Sequence, residues 1–483
     1  MQNCREDRIT GRQRISKLLS DVKIVRATLM LILGAIGSIP LVLLTPPFQV
    51  PDEVQHFYRA FQLSDLRIRA EVQNGISGGT LPDSLPELVK SSVYTRDDVF
   101  YPATPSPIAK TLNLAFIPLD SSTRHFVAFP GSAFYSPLPY FPQILGIVVG
   151  RLFGLGPLYL LYLGRLFNCL AALGLVGLAV YLIPVAGELV MVVGLLPTSL
   201  YLYASLSPDA AVISCALLFI ALSFSASTRG NWKTWELAMA AAVGAVLCSV
   251  KPVYAPILLA GVVPGLLRRG NVANVLRSHF TLLAVALGVA AGWLVLAKSA
   301  MTTLLGGGHP SLQMSFVLNH PTLFMRALVH TLGIGSIIFW YCGTIGFFGW
   351  LTVPLHPAFV YFLPLANFLI VWKFGTRGSL ARSVLCALWY LALAVASAVL
   401  VMTAMYLMSA HVGQNEVSGV QGRYFIPILV LAGMAATELA PGRRPSVPGW
   451  RSLACIAAII VVQMVAMDAT IIRAFHVFSP ARF

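Results

Sequence analysis

Long apolar runs separated by short polar segments recur along the whole chain and predict its architecture. The first run extends from Val25 to Leu44. Further runs centre on Ile144, Leu170, Val193, Leu217, Ala241, Leu259, Val285, Ile338, Phe362, Leu393, Leu429 and Ile459. A helix needs about 20 apolar residues to cross a bilayer. The pattern therefore predicts an all-α polytopic membrane protein.

Basic residues between the runs predict the orientation of the helices, because Lys and Arg are enriched in cytoplasmic loops. The basic segment 1–24 precedes the first run, and later clusters lie around residues 229–233, 268–277, 373–382 and 443–451. The segment from Thr45 to about Ser136 instead holds nine of the 18 acids. We therefore expect a cytoplasmic N-terminus and an extracytoplasmic first loop.

The number of crossings between these basic clusters tests each run. Two runs do not fit the alternation, and we expect Leu138 to Phe153 to be interfacial or re-entrant and Ile334 to Trp350 to be half-inserted. About eleven full spans remain, or about thirteen if both runs cross. The predicted division is 1–24 cytoplasmic N-terminus, 25–45 first helix, 46–156 extracytoplasmic loop with interfacial helices, 157–472 bundle with a re-entrant segment near 331–350, and 473–483 C-terminal tail.

Composition excludes several classes of function. The chain is 57% hydrophobic and 11% charged, and its net charge of +15 comes from loop residues that follow the topology pattern, so we expect no nucleic-acid partner. The seven cysteines have no C-x-x-C spacing and predict neither disulfides nor a zinc site. The sequence also lacks a phosphate-binding P-loop, a dinucleotide-binding glycine motif and the H-E-x-x-H of zinc proteases.

Adjacent carboxylates follow the first apolar run and are the clearest candidates for chemistry. Asp52 and Glu53 come after three prolines, with His56 and Arg59 on the next helical turns. Neighbouring residues of a helix point about 100° apart, so only one of the two acids faces a given pocket. Asp52, placed by the rigid turn, is the better candidate base. The alternative is a helix-capping acid beside a solvated glutamate.

Four further residues fall near the same predicted surface or inside the bundle. Asp209, in Ser-Pro-Asp, either belongs to a helix-initiation signal or is a second carboxylate that converges with Asp52. Lys251 either extends to the lipid headgroups or binds a phosphate. Arg423 could bind a phosphate bidentately. Arg165 lies inside an apolar run, where an arginine must be paired or face a polar cavity.

Several short blocks together resemble the multi-pass bacterial membrane proteins grouped as domain of unknown function 2142 (DUF2142), over about Thr45 to Pro427. They are Pro46-Pro47-Phe48-Gln49-Val50-Pro51-Asp52-Glu53 with His56-Phe57-Tyr58-Arg59, Tyr135-Ser136-Pro137-Leu138-Pro139-Tyr140, Gly164-Arg165-Leu166 with Asn168, Ser207-Pro208-Asp209 and Gln421-Gly422-Arg423-Tyr424-Phe425. That family in turn resembles the GT-C superfamily of membrane glycosyltransferases, which includes protein mannosyltransferases and the aminoarabinose transferases of lipid A.

The resemblance implies a GT-C-like bundle with a long first extracytoplasmic loop. It also implies roles for individual residues: Asp52, Glu53 and Asp209 as catalytic acids, Lys251, Arg423 and Arg165 as contacts to the donor phosphate, and His56, Arg59, Tyr135, Tyr140, Gln421 and Tyr424 in the substrate pocket. A divalent cation, Mg²⁺ or Mn²⁺, shared by Asp52 and Asp209 is an optional part of this hypothesis.

The leading hypothesis is a glycosyltransferase of the bacterial inner membrane with an extracytoplasmic active site. It would move a sugar from a polyprenyl-phosphate lipid to a glycan, lipid or protein acceptor, with Asp52 activating the acceptor hydroxyl. One alternative is a transporter or flippase of polyprenyl-linked glycans, with Arg165 and Asp468 along its path. Another is a non-catalytic assembly subunit of the membrane.

Overall fold

Helices dominate the computed structural model of the chain, which describes residues 2–92, 108–268, 271–300, 310–372, 380–440 and 450–477. The predicted class, an all-α polytopic membrane protein, is confirmed. Parts of three predicted cytoplasmic loops, 269–270, 373–379 and 441–449, and the end of the C-terminal tail lie outside the described residues.

The first helix is longer than predicted. Helix α1 spans Gln2–Leu44, so the basic N-terminal segment continues the helix that was expected to begin at Val25. Its apolar part, Val22–Leu44, is long enough to cross a bilayer. The chain then turns through three prolines into a short amphipathic helix, α2 (Glu53–Ser64), which packs against the loop that follows.

The first loop contains a small sheet that the sequence analysis did not predict. Strands β1 (Glu71–Gln73), β2 (Ile76–Pro82) and β3 (Arg124–Ala128) pair antiparallel in that order. Asn74 and Gly75 form the first turn with φ of 51° and 77°. Two positive φ angles are typical of the tight hairpin turn that Asn-Gly favours. The loop also holds three short helices, α3 (Ser84–Ser92), α4 (Ile108–Asn113) and α5 (Pro130–Ala133).

The remaining helices form the bundle. They are α6 (Phe141–Leu152), α7 (Pro157–Leu182), α8 (Gly187–Gly194), α9 (Pro197–Tyr203), α10 (Asp209–Arg229), α11 (Thr234–Val250), α12 (Val262–Arg268), α13 (Val272–Ala297), α14 (Pro310–Asn319), α15 (Pro321–Thr331), α16 (Ile334–Gly346), α17 (Pro357–Trp372), α18 (Leu380–Ser409), α19 (Ile426–Leu439) and α20 (Trp450–Ile472). A two-stranded hairpin, β4 (Phe347–Phe348) with β5 (Val353–Pro354), follows α16.

Fewer helices are long enough to span than the eleven to thirteen predicted. Within the described ranges seven helices qualify, or eight if α15 and α16, which meet at 65°, count as one broken span. Four other apolar helices are shorter, and the run centred on Val193 is split into α8 and α9 at Pro197. Proline removes a helical hydrogen bond and disfavours a helical conformation in the residue before it. Counting apolar runs between basic clusters therefore overestimated the number of full-length spans within the described ranges.

Helix α10 lies at the centre of the bundle. Of its most apolar stretch, 94% is buried within the protein, against 39% for the corresponding stretch of α1. Close packing against α10 allows this, since a Cβ atom on Gly261 would lie 2.3 Å from Ser223 Oγ of α10. The first residue of α10 is Asp209, so one end of the most enclosed helix carries a carboxylate.

Candidate functional site

The turn that carries Asp52 has a strained backbone. Phe48 and Asp52 both adopt the left-handed conformation, with φ of 63° and 64°, which non-glycine residues rarely occupy. Two distant side chains hold the turn: Trp350 Nε1 donates to the Phe48 carbonyl at 3.2 Å, and Tyr201 Oη donates to the Gln49 carbonyl at 2.9 Å. The Asp52 side chain does not cap α2, which removes the alternative role considered for it.

Glu53 points into the bundle and forms a closed ion pair with Arg165. Both side chains are 0% exposed. Arg165 Nε and Nη2 donate to the two carboxylate oxygens at 2.8 Å and 2.5 Å, and its other N–H groups donate to the carbonyls of Val42, Thr45 and Pro46. Glu53 also accepts from the backbone N–H groups of Phe48 and Leu206.

This closed pair does not fit two of the predicted roles. All five N–H groups of Arg165 are used within the protein, so none remains for a donor phosphate or for a transport path. Glu53 is fully buried and cannot reach an acceptor hydroxyl. The pair instead joins the end of α1 to α7, and this structural role replaces the catalytic and phosphate-binding assignments of Glu53 and Arg165.

Four charged residues meet at the same end of the bundle: Asp52, Asp209, Lys251 and Arg423. They are called the outer cluster after the side on which the sequence predicts them. Lys251 Nζ bonds to Asp209 Oδ1, while Arg423 Nε lies 3.3 Å from Asp209 Oδ2. Arg423 Nη2 donates to Asp52 Oδ2 at 3.2 Å. The side chains of Asp209 and Arg423 are 9% and 7% exposed, whereas that of Asp52 is 47% exposed. Two carboxylates and two cations balance, and Asp52 is their most accessible member.

Local backbone geometry places Arg423 and Tyr424 close to Lys251. Arg423 lies in a 3₁₀ turn, Gly422–Phe425, that packs directly on α16, and a Cβ on Gly422 would be 2.2 Å from the Trp340 carbonyl oxygen. Only glycine fits there. Tyr424, from the same turn, places its ring 4.2 Å from Lys251 Nζ and 5.5 Å from Arg423 Cζ. The negative face of an aromatic ring attracts cations at these distances.

Capping does not account for Asp209 either. Its backbone N–H donates to Ser207 Oγ at 3.2 Å, and its carboxylate accepts a hydrogen bond from Lys251 Nζ. Both carboxylate oxygens face the cations of the outer cluster. Asp209 therefore holds Lys251 and Arg423 in place.

His56 lies beside the outer cluster in a neutral form. Its Nδ1 is 2.7 Å from Tyr140 Oη, and its ring packs edge-on against Tyr135 at 5.8 Å. Burial lowers the pKa of His56 to about 4, although Asp52 and Asp209 act in the opposite direction. Burial likewise raises the pKa of Tyr135 and Tyr140, so neither tyrosine ionises near neutral pH.

Two other predicted pocket residues have different surroundings. Arg59 is 0% exposed and donates to Gln62 Oε1 and to the carbonyls of Ile68 and Tyr135. It therefore braces the loop rather than lining a pocket. Gln421 Oε1 is buried and has no hydrogen-bond partner within the described residues. A buried acceptor without a partner is costly, so this oxygen is suited to a ligand donor.

The outer cluster does not fit a divalent cation. Lys251 and Arg423 already face both oxygens of Asp209, and Arg423 also binds Asp52, so a metal ion would have to displace two positive groups. Across the described ranges, no three His, Cys, Asp or Glu side chains come together as metal ligands. The metal role predicted for Asp52 and Asp209 does not enter the function proposed below.

Three residues that shape the site were not among those predicted from the sequence. Trp350 and Tyr201 hold the Asp52 turn, and Tyr254 Oη donates to the Tyr424 carbonyl at 2.8 Å. Tyr254 had a usable signal: it follows Lys251 by three residues in a stretch with Pro252 and Pro256, which favours a 3₁₀ turn. Residues three apart on such a turn lie on the same face. No sequence signal indicated the roles of Trp350 and Tyr201, because their hydrogen-bond partners are distant in sequence.

Comparisons with known proteins identify a family but not an activity. A family model described as "Predicted membrane protein (DUF2142)" matches residues 36–432, which is most of the chain. No curated protein and no solved structure matches the chain. The matched region includes every residue of the outer cluster and the Glu53–Arg165 pair. This multi-pass membrane protein belongs to the DUF2142 family of predicted membrane proteins.

Proposed function

We propose that the chain is a glycosyltransferase of the bacterial inner membrane that transfers a sugar from a polyprenyl-phosphate lipid to an extracytoplasmic acceptor. The observation that carries the proposal is the outer cluster: an accessible carboxylate, Asp52, beside two cations at one end of a membrane bundle. Both groups that such a transfer needs, a base and a phosphate site, are therefore adjacent. The resemblance to GT-C enzymes supports the same reaction class.

In the proposed reaction Asp52 accepts the proton of the acceptor hydroxyl. The freed oxygen attacks the anomeric carbon of the sugar, a new C–O bond forms, and the bond from that carbon to the phosphate oxygen breaks with inversion. The electron pair leaves with the polyprenyl phosphate, and Lys251 and Arg423 stabilise its negative charge. The exposed side of Asp52 is the side from which an acceptor would approach.

The remaining residues prepare these groups. Asp209 fixes Lys251 and Arg423 before the substrate arrives, which is the preorganisation that electrostatic catalysis requires. Tyr424 adds an aromatic face beside both cations. Gln421 Oε1 offers an unused acceptor for a sugar hydroxyl. The acceptor class, which is a cell-surface glycan, lipid or protein, follows from the proposed extracytoplasmic position of the cluster.

The test replaces Asp52 by Asn and compares it with Asp120→Asn, an exposed acid of the same loop. Lipid-linked sugars and surface glycans of host cells are analysed by mass spectrometry. We expect Asp52→Asn to abolish one glycan modification, with unconsumed donor accumulating on the outer face, and Asp120→Asn to behave as wild type. An unchanged glycan profile in a normally expressed Asp52→Asn variant would refute the proposal. Donor trapped on the inner face would favour the flippase instead.

A further inference from the structure

A cavity lined by both apolar and polar side chains lies at the end of the bundle opposite the outer cluster. It has a volume of about 220 Å³ and lies between the end of α10 and the beginnings of α11 and α13. Helix α10 runs from Asp209 in the outer cluster to Arg229 near this cavity. Its 21 residues extend about 30 Å at 1.5 Å per residue, which matches the thickness of the hydrocarbon core.

The position of the cavity corresponds to the level of lipid headgroups. Trp232 lines the cavity, and Trp235, 46% exposed, lies three residues further along the chain in the first turn of α11. Tryptophan is enriched where the hydrocarbon meets the headgroups. Basic pockets between helices at this level are suited to anionic headgroups.

The charge around the cavity is positive. None of the described residues that line it is acidic, whereas Arg277 is exposed at its edge. Asn274 Oδ1 accepts a hydrogen bond from Arg277 Nη2 at 3.1 Å and orients the guanidinium. The nearby acid Glu236 is already bound to Arg229 and to the Lys233 backbone N–H. Arg277 has no carboxylate partner within the described ranges, so its charge is available to a ligand.

The floor of the cavity is polar and uncharged. His279 is 2% exposed, and its Nδ1 lies 2.8 Å from the Val275 carbonyl oxygen, which requires a proton on Nδ1. Its Nε2 can then accept from Ser223 Oγ, 3.3 Å away. A neutral ring satisfies both contacts, so selectivity for an anion is assigned to Arg277. The amide and hydroxyl groups of Asn231 and Ser278 supply further hydrogen bonds at the wall.

We propose that this cavity binds the phosphate of an anionic lipid headgroup, with Arg277 as the charged contact. The site is separate from the outer cluster and does not depend on the proposed glycosyl transfer. Inorganic phosphate shares the same chemistry, but the headgroup level of the cavity favours a lipid.

The test uses the full-length protein in nanodiscs of phosphatidylcholine with increasing phosphatidylglycerol, and counts retained lipids by native mass spectrometry. Three variants are compared with wild type: Arg277→Gln removes the charge, Ser278→Trp fills the cavity, and Arg326→Gln is the control. Arg326 is an exposed arginine of α15, outside the cavity lining. One basic contact near a membrane surface corresponds to about fivefold in affinity. We expect Arg277→Gln and Ser278→Trp to weaken phosphatidylglycerol binding at least fivefold, and Arg326→Gln by less than twofold.

Equal binding by Arg277→Gln and Arg326→Gln would overturn the proposal. Arg277 is exposed, so its replacement should leave the fold intact and keeps the test valid even if Ser278→Trp fails to fold. A second arm titrates inorganic phosphate alone. If inorganic phosphate binds with the same variant sensitivity while phosphatidylglycerol shows no preference over phosphatidylcholine, the lipid is excluded as the ligand. Glycerol phosphate carries the headgroup phosphate without the lipid chains. If it displaces bound phosphatidylglycerol, the result supports recognition of the headgroup phosphate by the cavity.

Discussion

Asp52 and Glu53 are neighbours in sequence but have opposite environments. Glu53 is fully buried and accepts four hydrogen bonds, two of them from Arg165. Asp52 is half exposed and accepts one bond of 3.2 Å from Arg423. The two cations differ in the same way, because Arg165 uses all its donors in hydrogen bonds, whereas Arg423 Nε has only an ion-pair contact of 3.3 Å with Asp209 Oδ2. One pair is complete, and the other has capacity for a ligand.

Hydrogen-bond saturation and burial separate structural from functional charges in this membrane bundle. A buried ion pair with every donor and acceptor satisfied maintains the fold but cannot respond to a substrate. An accessible carboxylate in a strained turn, with a cation held by a second acid, can exchange partners. The contrast makes quantitative predictions, because removing a charge from each pair should affect stability to very different extents.

The largest effect is expected for Glu53→Gln. It leaves the Arg165 guanidinium buried beside a neutral amide, and breaking a buried pair in this way costs about 3–5 kcal/mol. The variant should show a strongly reduced melting temperature in detergent and poor yield of monodisperse protein.

A matched double variant checks this explanation. Glu53→Gln with Arg165→Gln removes both charges but keeps polar groups beside the backbone atoms that the pair contacts, so it should be less damaging than Glu53→Gln, since no uncompensated charge remains. If the single variant were as stable as wild type, the closed pair would have no structural role.

The second effect is the pH dependence contributed by His56. Its pKa is about 4 in the folded protein, against 6.5 for an exposed histidine, because burial disfavours the charged ring. The unfolded chain therefore binds the proton first as pH falls. His56 therefore makes its full contribution to the free energy of unfolding above about pH 6.5. This contribution is lost as the pH falls from about 6.5 to 4, at a rate of at most about 1.4 kcal/mol per pH unit.

Thermal unfolding between pH 7 and 4.5 tests the histidine assignment. His56→Gln should flatten the loss of stability on acidification, whereas His125→Gln should not, because the His125 side chain is 78% exposed. An identical pH dependence in wild type and His56→Gln would show that another group causes the loss.

Much of the fold followed from the sequence because a membrane span needs a long apolar window. Helices α7, α10, α13, α18 and α20 each coincide with a predicted run. The three-stranded sheet was missed, although Asn74-Gly75 between Val72 and Ile76 is a hairpin signal. The division of the Val193 run at Pro197 was missed because hydropathy is insensitive to a local break.

The candidate site was predictable in its members but not in its pairings. Charge bias placed Asp52, Asp209, Lys251 and Arg423 on one side, and these four residues are in contact. The partner of Glu53, however, is 112 residues away, and no sequence pattern distinguishes Arg165 as a structural cation from Arg423 as an available one. That distinction depends on burial and on counting hydrogen bonds, which only the folded chain provides.

The third effect is expected for Asp209→Asn. Asp209 is 9% exposed and faces two cations, so replacing its charge should cost about 2 kcal/mol, the range for charge-assisted hydrogen bonds. Chemical denaturation in detergent would measure it. Because Asp209 and Lys251 are in contact, the double variant Asp209→Asn with Lys251→Met should be more stable than the sum of the two single variants predicts. Strict additivity would contradict their coupling.

The smallest effect on stability is expected for Asp52→Asn, at less than about 1 kcal/mol, because exposed ion pairs contribute little. Asparagine also tolerates the left-handed conformation, so the turn should persist and only the charge is tested. Asp52→Ala tests the backbone strain as well as the charge. Because alanine is disfavoured at φ of 64°, this variant should lose about 1–2 kcal/mol more stability than Asp52→Asn. A melting temperature that falls further for Asp52→Asn than for Glu53→Gln would reverse the contrast between the pairs, because the half-exposed carboxylate would then be the structural one.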